Sequence, residues 1–263
     1  AGKSTLMKPV AGIYPADAGE IVFKGTPVRH GATPLETQHL GISMIHQELN
    51  LLPELTVAQN IFLRREPRAA TGLIDFAKMH TDAAAILGRL GETIDPKRKV
   101  RELKVAQKQM VEIAKAISFN VELLIMDEPT SALTGRETNI LFDLIANLSS
   151  QGIAVVFISH RLKELIDVCH RVTVLRDGAL VAVRGIQEVT AHDLATLMVG
   201  REVTETHASD FAGDPAAVML EVRGVTDGLL KDVSFQVRRG EILGFSGLIG
   251  AGRTELMEVI FGI

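Results

Sequence analysis

Cysteine is almost missing from this 263-residue chain. Cys169 stands alone, so no disulfide can form within the chain, which suits a reducing compartment. Basic excess is missing too. The chain has 28 Lys+Arg against 32 Asp+Glu, a formal net charge of −4, which argues against a surface built to grip nucleic acid. Apolar runs are short. The longest, such as Ile153–Ile158, are strand-length and fall far below the ~20 residues that span a bilayer. Work at a membrane is therefore expected to go through a partner. No stretch reads as a signal peptide.

What the chain does have is 46% hydrophobic and 23% charged residues. That is enough for a large buried core and unlike disordered, collagen-like or low-complexity sequences. At about 150 residues per domain, the length suits one large domain or two. An internal repeat favours two. Ala1-Gly2-Lys3-Ser4-Thr5-Leu6-Met7-Lys8, then Gly12-Ile13, returns as Ala251-Gly252-Arg253-Thr254-Glu255-Leu256-Met257-Glu258, then Gly262-Ile263. Two similar domains in tandem are expected. The chain opens on Ala1 rather than Met, in the middle of the repeated pattern. It is therefore expected to be a fragment, with the first domain lacking its beginning and the second most of its body.

Between the copies, strand-like and helix-like stretches alternate, which predicts an α/β fold with a mainly parallel sheet. Leu6–Gly12 continues a helix, and Pro9 inside it, at a cost of about 3 kcal/mol, predicts a kink or an early end. Glu20–Lys24 and Val28–Arg29 read as short strands, and Pro34–His39 as a helix capped by Thr33. Further strands are expected at Ile42–Ile45, Leu123–Met126, Ile153–Ile158 and Val172–Arg176. Helices are expected at Thr56–Leu63, Asp82–Leu90, Val105–Ser118, Arg136–Leu148 and Leu162–Val168. The helical stretch at about 53–118 interrupts the alternation and reads as an inserted lobe. The first domain is set at 1–200, the linker at 201–217 and the second domain at 218–263. The second domain opens with strands at Val218–Val222, Val233–Val237 and Glu241–Phe245.

Gly2-Lys3-Ser4 matches the end of a G-x-x-x-x-G-K-[ST] phosphate loop. Backbone N–H groups at a helix start favour phosphate oxygens. In that pattern Lys3 reaches the β/γ-phosphates and the Ser4 hydroxyl binds Mg²⁺. Taken alone, the half motif is as readily a chance Gly-Lys-Ser at a helix start. The apolar Leu123–Met126 ends in Asp127 and Glu128. Ligands of open α/β sheets bind at such strand ends. Asp127 can hold Mg²⁺ and Glu128 can orient an attacking water. A lone Asp-Glu after a strand is more often two solvated acids.

The next residues, Pro129-Thr130-Ser131-Ala132-Leu133-Thr134, resemble the segment after the second acid in ATP-binding-cassette (ABC) ATPases. The resemblance extends along the chain. Gln47 in Ile45-His46-Gln47-Glu48 matches the Q-loop glutamine, and His160 in Ile158-Ser159-His160 matches the switch histidine. Leu103-Lys104-Val105-Ala106-Gln107 stands where the signature motif belongs. Val111-Glu112-Ile113-Ala114-Lys115-Ala116 looks like the signature helix of bacterial monosaccharide importers of the ribose, galactose, xylose and arabinose type. The second loop, Gly247-Leu248-Ile249-Gly250-Ala251-Gly252-Arg253-Thr254, is similar to theirs as well. In that group both cassettes lie on one chain.

The resemblance implies a P-loop NTPase cassette with ATP and Mg²⁺ as cofactors and ATP hydrolysis coupled to sugar import. It assigns nucleotide contacts to Gly2, Lys3, Ser4 and Thr5 in the first cassette and to Gly247, Gly250, Gly252, Arg253 and Thr254 in the second. It assigns Mg²⁺ to Ser4, Gln47 and Asp127, and catalysis to Glu128, His160 and Gln47. The implied partners are polytopic membrane permease subunits, through them a sugar-binding protein, and a second cassette in the same parent chain. No nucleic acid is implied, and the expected location is peripheral, on the cytoplasmic face of the inner membrane.

Three residues depart from the family pattern. Lys104 stands where the signature has Ser, Ala106 where Gly is common, and Arg253 where the phosphate loop has Lys. Arginine's planar fork is a poor replacement for a compact ammonium between phosphates. ABC cassettes pair head to tail, so the resemblance sets Lys104 against the site built on Arg253 and predicts that this site binds without hydrolysing. The competent site would join Lys3, Ser4, Gln47, Asp127, Glu128 and His160 to a signature motif beyond Ile263. Two other classes stand beside this one. A soluble ABC ATPase acting on ribosomes or DNA is disfavoured by the net charge of −4. A nucleotide-binding relic without turnover fits Lys104 and Pro9. The isolated 263-residue chain is expected to be a poor ATPase in any case.

Overall fold

A computed structural model describes residues 2–201, 217–246 and 250–262. The bulk of the expected linker, together with Gly247, lies outside the described residues. The chain divides into two compact units, Ala1–Val203 and Thr204–Ile263.

The first unit runs α1 (Lys3–Val10), β1 (Val22–Phe23), β2 (Thr26–Pro27), α2 (Pro34–His39), β3 (Ile42–Ile45), α3 (Val57–Ile61), α4 (Phe76–Arg89) and α5 (Val105–Ile117). It continues with β4 (Leu123–Asp127), α6 (Gly135–Ser150), β5 (Ala154–Ile158), α7 (Leu162–Val168), β6 (Arg171–Arg176), β7 (Ala179–Gly185) and α8 (Ala191–Val199). Four of these helices start the same way. Thr33, Thr56, Thr134 and Thr190 each exchange hydrogen bonds with Glu36, Gln59, Glu137 and Asp193 three residues on, satisfying two N–H groups that a helix start leaves free.

The sheet that carries the site has the order β3-β4-β5, all parallel, with Ile45 opposite Met126 and Asp127 opposite Ile158. Its middle strand β4 is buried on both faces, as parallel strands are. Leu124 and Met126 join one large core with Val57, Ile61, Met79, Leu87, Val111 and Leu141, so the helical stretch α3–α5 shares its core with the sheet. Ile125 points the other way, to Ile42, Ile158 and the α1 residues Met7 and Val10. That contact lays α1 against the sheet.

Several expectations change. Pro9 lies in the last turn of α1; the helix runs on to Val10 and is closed by Gly12 (φ 72°), whose N–H bonds the Pro9 carbonyl while the Ile13 N–H bonds the Lys8 carbonyl. The Pro9 ring leaves the Thr5 carbonyl without its helical donor, and the Tyr14 hydroxyl donates to it at 2.9 Å. Of the two strands expected around Gly25, Glu20–Lys24 shortens to β1 and Val28–Arg29 is not a strand; β2 forms at Thr26–Pro27 instead, because Lys24 and Gly25 make a tight turn with φ of 52° and 76°. Helix α4 starts well before Asp82, capped by Asp75. Strand β7 and helix α8 were not expected. Asp177-Gly178, with φ of 53° and 80°, turns β6 into β7.

The second unit holds β8 (Val218–Asp227) paired antiparallel with β9 (Leu230–Arg238), followed by α9 (Arg253–Phe261). Glu241–Phe245 is not a strand; it finds no ladder partner among the described residues. The repeat is visible in the backbone. Gly252 precedes α9 with φ of 83°, as Gly2 precedes α1 with φ of 81°. Where α1 has Pro9, α9 has Val259, and both helices are followed by a left-handed glycine, Gly12 with φ of 72° and Gly262 with φ of 84°. No helix among the described residues is long and apolar enough to cross a membrane.

Candidate functional site

The start of α1 meets the carboxyl ends of β4 and β5. Gly2 takes its left-handed conformation with no side chain capping the helix, so the first N–H groups of α1 are left for a ligand. A Cβ at Gly2 would also lie 3.4 Å from the Gly178 backbone. The Ser4 hydroxyl donates to Asp127 Oδ1 at 2.9 Å, and the Lys3 ammonium lies 3.4 Å from the Ser159 carbonyl. Asp127 is buried at the end of β4 while Lys3 and Ser4 are half-buried. One cation, one hydroxyl and one carboxylate therefore share a small volume at the top of the sheet.

Glu128 and His160 complete it. Glu128 adopts φ of 47°, rare for a residue with a long side chain, and its N–H donates to the Ile158 carbonyl at 2.9 Å. This turn brings the Glu128 carboxylate to 3.0 Å from His160 Nδ1. The imidazole is 60% exposed and the carboxylate 23%, so the pair faces solvent above the strand ends. A polarised water could sit there.

The arrangement fits a divalent cation held together with phosphates. Magnesium takes one or two protein oxygens and completes its octahedron with water and phosphate oxygen. Ser4 and Asp127 supply such oxygens. Among the described residues no group of three or more His, Cys, Asp or Glu could hold a metal.

The structure brings together Lys3, Ser4, Asp127, Glu128 and His160. Gln47 follows β3 at the same end of the sheet, exposed, and has no hydrogen bond to these five among the described residues. Thr5 is exposed on the first turn of α1. The signature segment lies elsewhere, at the start of α5: Leu103 is buried, Lys104 and Val105 are exposed, and Ala106 and Gln107 are half-buried. In the second unit Gly250 and Gly252 keep left-handed backbones, while Arg253 and Thr254 are exposed at the start of α9. Sequence reasoning missed the buried Glu164, which hydrogen-bonds Thr130 34 positions away; no local signal joins the two.

Known proteins resemble the chain throughout its length. The family model for the ABC transporter matches residues 1–131. A putative ribose/galactose/methyl galactoside import ATP-binding protein of Agrobacterium fabrum is 49% identical over all of this chain and 52% of its own length. The ribose import ATP-binding protein RbsA 1 of Streptomyces coelicolor is 48% identical over the same whole chain and 52% of its own length. The chain thus spans about half the length of the curated relatives it matches. The crystal structure of a nucleotide-free ATP-binding cassette from an ABC transporter superposes with a TM-score of 0.62 at 27% identity, covering 71% of this chain and 78% of that one. The order of the motifs, the gathering of Lys3, Ser4, Asp127, Glu128 and His160 at the carboxyl end of one sheet, and these likenesses lead to one conclusion: the chain carries an ATP-binding cassette of the ABC transporter family.

Proposed function

We propose that this chain binds ATP and, within a tandem-cassette protein of its relatives' length, hydrolyses it to drive sugar import. The observation that carries the reading is the Ser4–Asp127 and Glu128–His160 geometry at the end of β4 and β5. The names of the relatives support sugar import; they are ribose and galactose import ATP-binding proteins. Residues 1–200 act as the first cassette and 218–263 as the opening of the second, joined by 201–217.

Lys3 neutralises the β/γ-phosphates while the α1 N–H groups cradle them. Ser4, Asp127 and Gln47 would hold Mg²⁺, which would draw charge from the phosphates. Glu128 orients the attacking water, and His160, beside it, contacts the γ-phosphate. Catalysis in this reading is positioning plus electrostatics. The partners are membrane permease subunits and, through them, a sugar-binding protein, with the cassettes peripheral to the membrane. Proteoliposomes holding the permease and the tandem-cassette protein test this. The expected result is ATP hydrolysis raised by sugar-loaded binding protein. Turnover indifferent to the sugar and permease, with co-purifying ribosomes, would replace import with the soluble class.

A further inference from the structure

Three hydrogen bonds behind the Glu128–His160 pair end on one carboxylate. Glu164 sits on α7, which is anchored by Leu162, Leu165 and Ile166 against the core of β6, Ile186 and α8. Its side chain turns away from that core and is only 7% exposed as a residue. Oε2 accepts from the Thr130 hydroxyl at 2.8 Å and from the Ser159 hydroxyl at 2.7 Å. Oε1 accepts from Arg161 at 3.1 Å. Ser159 in turn accepts the Arg161 N–H at 3.0 Å, fixing the step from β5 into α7.

The two hydroxyls belong to the two turns that carry the reacting side chains. Thr130 lies two residues after Glu128, and Ser159 immediately precedes His160. Both are buried, at 2% and 5% exposure. The turns also touch through the Glu128 N–H and the Ile158 carbonyl. That backbone bond fixes where the chain leaves β4; further on, the Ser131 N–H donates to the Glu128 carbonyl at 3.2 Å and the Leu133 N–H to the Thr130 carbonyl at 3.1 Å, bonds that lie within one turn and do not join it to the other. The carboxylate closes the remaining gap. It ties the turn after β4 to the turn after β5 from below, opposite the exposed side chains. An unpaired acid buried here would be costly, but this one is fully satisfied by donors.

We propose that Glu164 is a positioning residue that holds Glu128 and His160 at contact distance, a role that rests on the proposed ATP hydrolysis. It touches no reacting atom itself. Removing it frees Thr130 and Ser159 and lets the turns drift apart. A misplacement of about 1 Å at a reacting group can cost about 100-fold in rate.

Two readouts test this on the chain itself and on the tandem-cassette protein. In the 263-residue chain, histidine ring resonances, with His160 assigned through His160→Gln, report the Glu128 contact whether or not ATP is turned over. Glu164→Ala moves them to where Glu128→Ala puts them. Glu164→Gln leaves them near wild type, because its amide oxygen still accepts from both hydroxyls and its NH₂ turns to the half-exposed Arg161 side. In the tandem-cassette protein, Glu164→Ala lowers kcat about tenfold or more with KM for ATP changed less than about threefold, and Glu164→Gln recovers most of it. If Glu164→Ala fails to melt cooperatively, the double variant Thr130→Val/Ser159→Ala, which removes the donors and keeps the acid, must give the same resonance shift. His160 resonances that do not move in a folded variant would overturn the proposal. Absence of turnover in the wild-type protein would sink the hydrolysis reading alone, and the resonance shift would still decide the positioning.

Discussion

Replacing Lys104 with serine completes a cap that α5 has only half of. Gln107 already turns back to accept the Lys104 N–H at 3.2 Å, the return half of a capping box. The forward half is missing: Lys104 makes no side-chain cap, and an ammonium has no acceptor to offer the Gln107 N–H. Four other helices of the same unit have both halves, through Thr33, Thr56, Thr134 and Thr190. A serine or threonine cap is worth about 1 kcal/mol over a residue that cannot cap. Removing a cation from a helix N-terminus adds about 0.3 kcal/mol at this exposed position. Against this stands the attraction of Lys104 for Glu137, one of the smaller causes holding that carboxyl below its usual range and worth well under about 1 kcal/mol at the surface. The net gain is about 1 kcal/mol. For a unit the size of Ala1–Val203 that is a rise in melting temperature of about 2–4 °C. Calorimetry of the chain and its Lys104→Ser variant measures it, with Thr134→Ala as the control that should fall by a similar amount. A melting temperature unchanged or lowered by Lys104→Ser would refute the capping argument.

Other outcomes follow from the same geometry. Lys3→Ala abolishes ATP turnover by the tandem-cassette protein, whereas Arg253→Ala leaves most of it, as phosphate release would record. Ile125→Ala, which empties a fully buried position between β3, β5 and α1, costs about 2–5 kcal/mol in urea denaturation. Glu112 on α5 is buried with one oxygen unpartnered, and burial pushes its carboxyl above the usual range despite Lys115 and His46 nearby. The folded state therefore binds this proton more tightly than the unfolded state. Its contribution is most favourable below the ordinary carboxylate value and is lost as pH rises through the raised one. Glu112→Gln should leave the melting temperature near pH 4 unchanged and raise it at pH 8; an equal shift at both would contradict the assignment.

The parts of the fold legible in the sequence were those whose signals are local. Thr33-Pro34 with Glu36 is a local helix-start signal, and Ile42–Ile45 and Leu123–Met126 are short, largely apolar runs of strand length. Strand β7 and helix α8 carry local signals too, the Asp177-Gly178 turn between apolar runs and the Thr190–Asp193 box. Glu241–Phe245 looks like a strand by composition, but a strand exists only with a neighbour. At the site, residue types and the family resemblance singled out Lys3, Ser4, Asp127, Glu128 and His160, and the fold brings these five together. The Tyr14 repair of the Pro9 gap and the Glu164 tie could not be read. Each depends on side chains meeting across the fold, and an acid four positions after a histidine looks like any helix-surface acid.

Mg²⁺-dependent ATP hydrolysis by the tandem-cassette protein, measured beside its Glu128→Gln variant with ATP affinity for both, decides the role of Glu128. Turnover in the wild type that disappears in Glu128→Gln, with ATP still bound, is the predicted result. Equal turnover in both would take the water-orienting role from Glu128, and turnover in neither would make the converged site a nucleotide binder without hydrolysis.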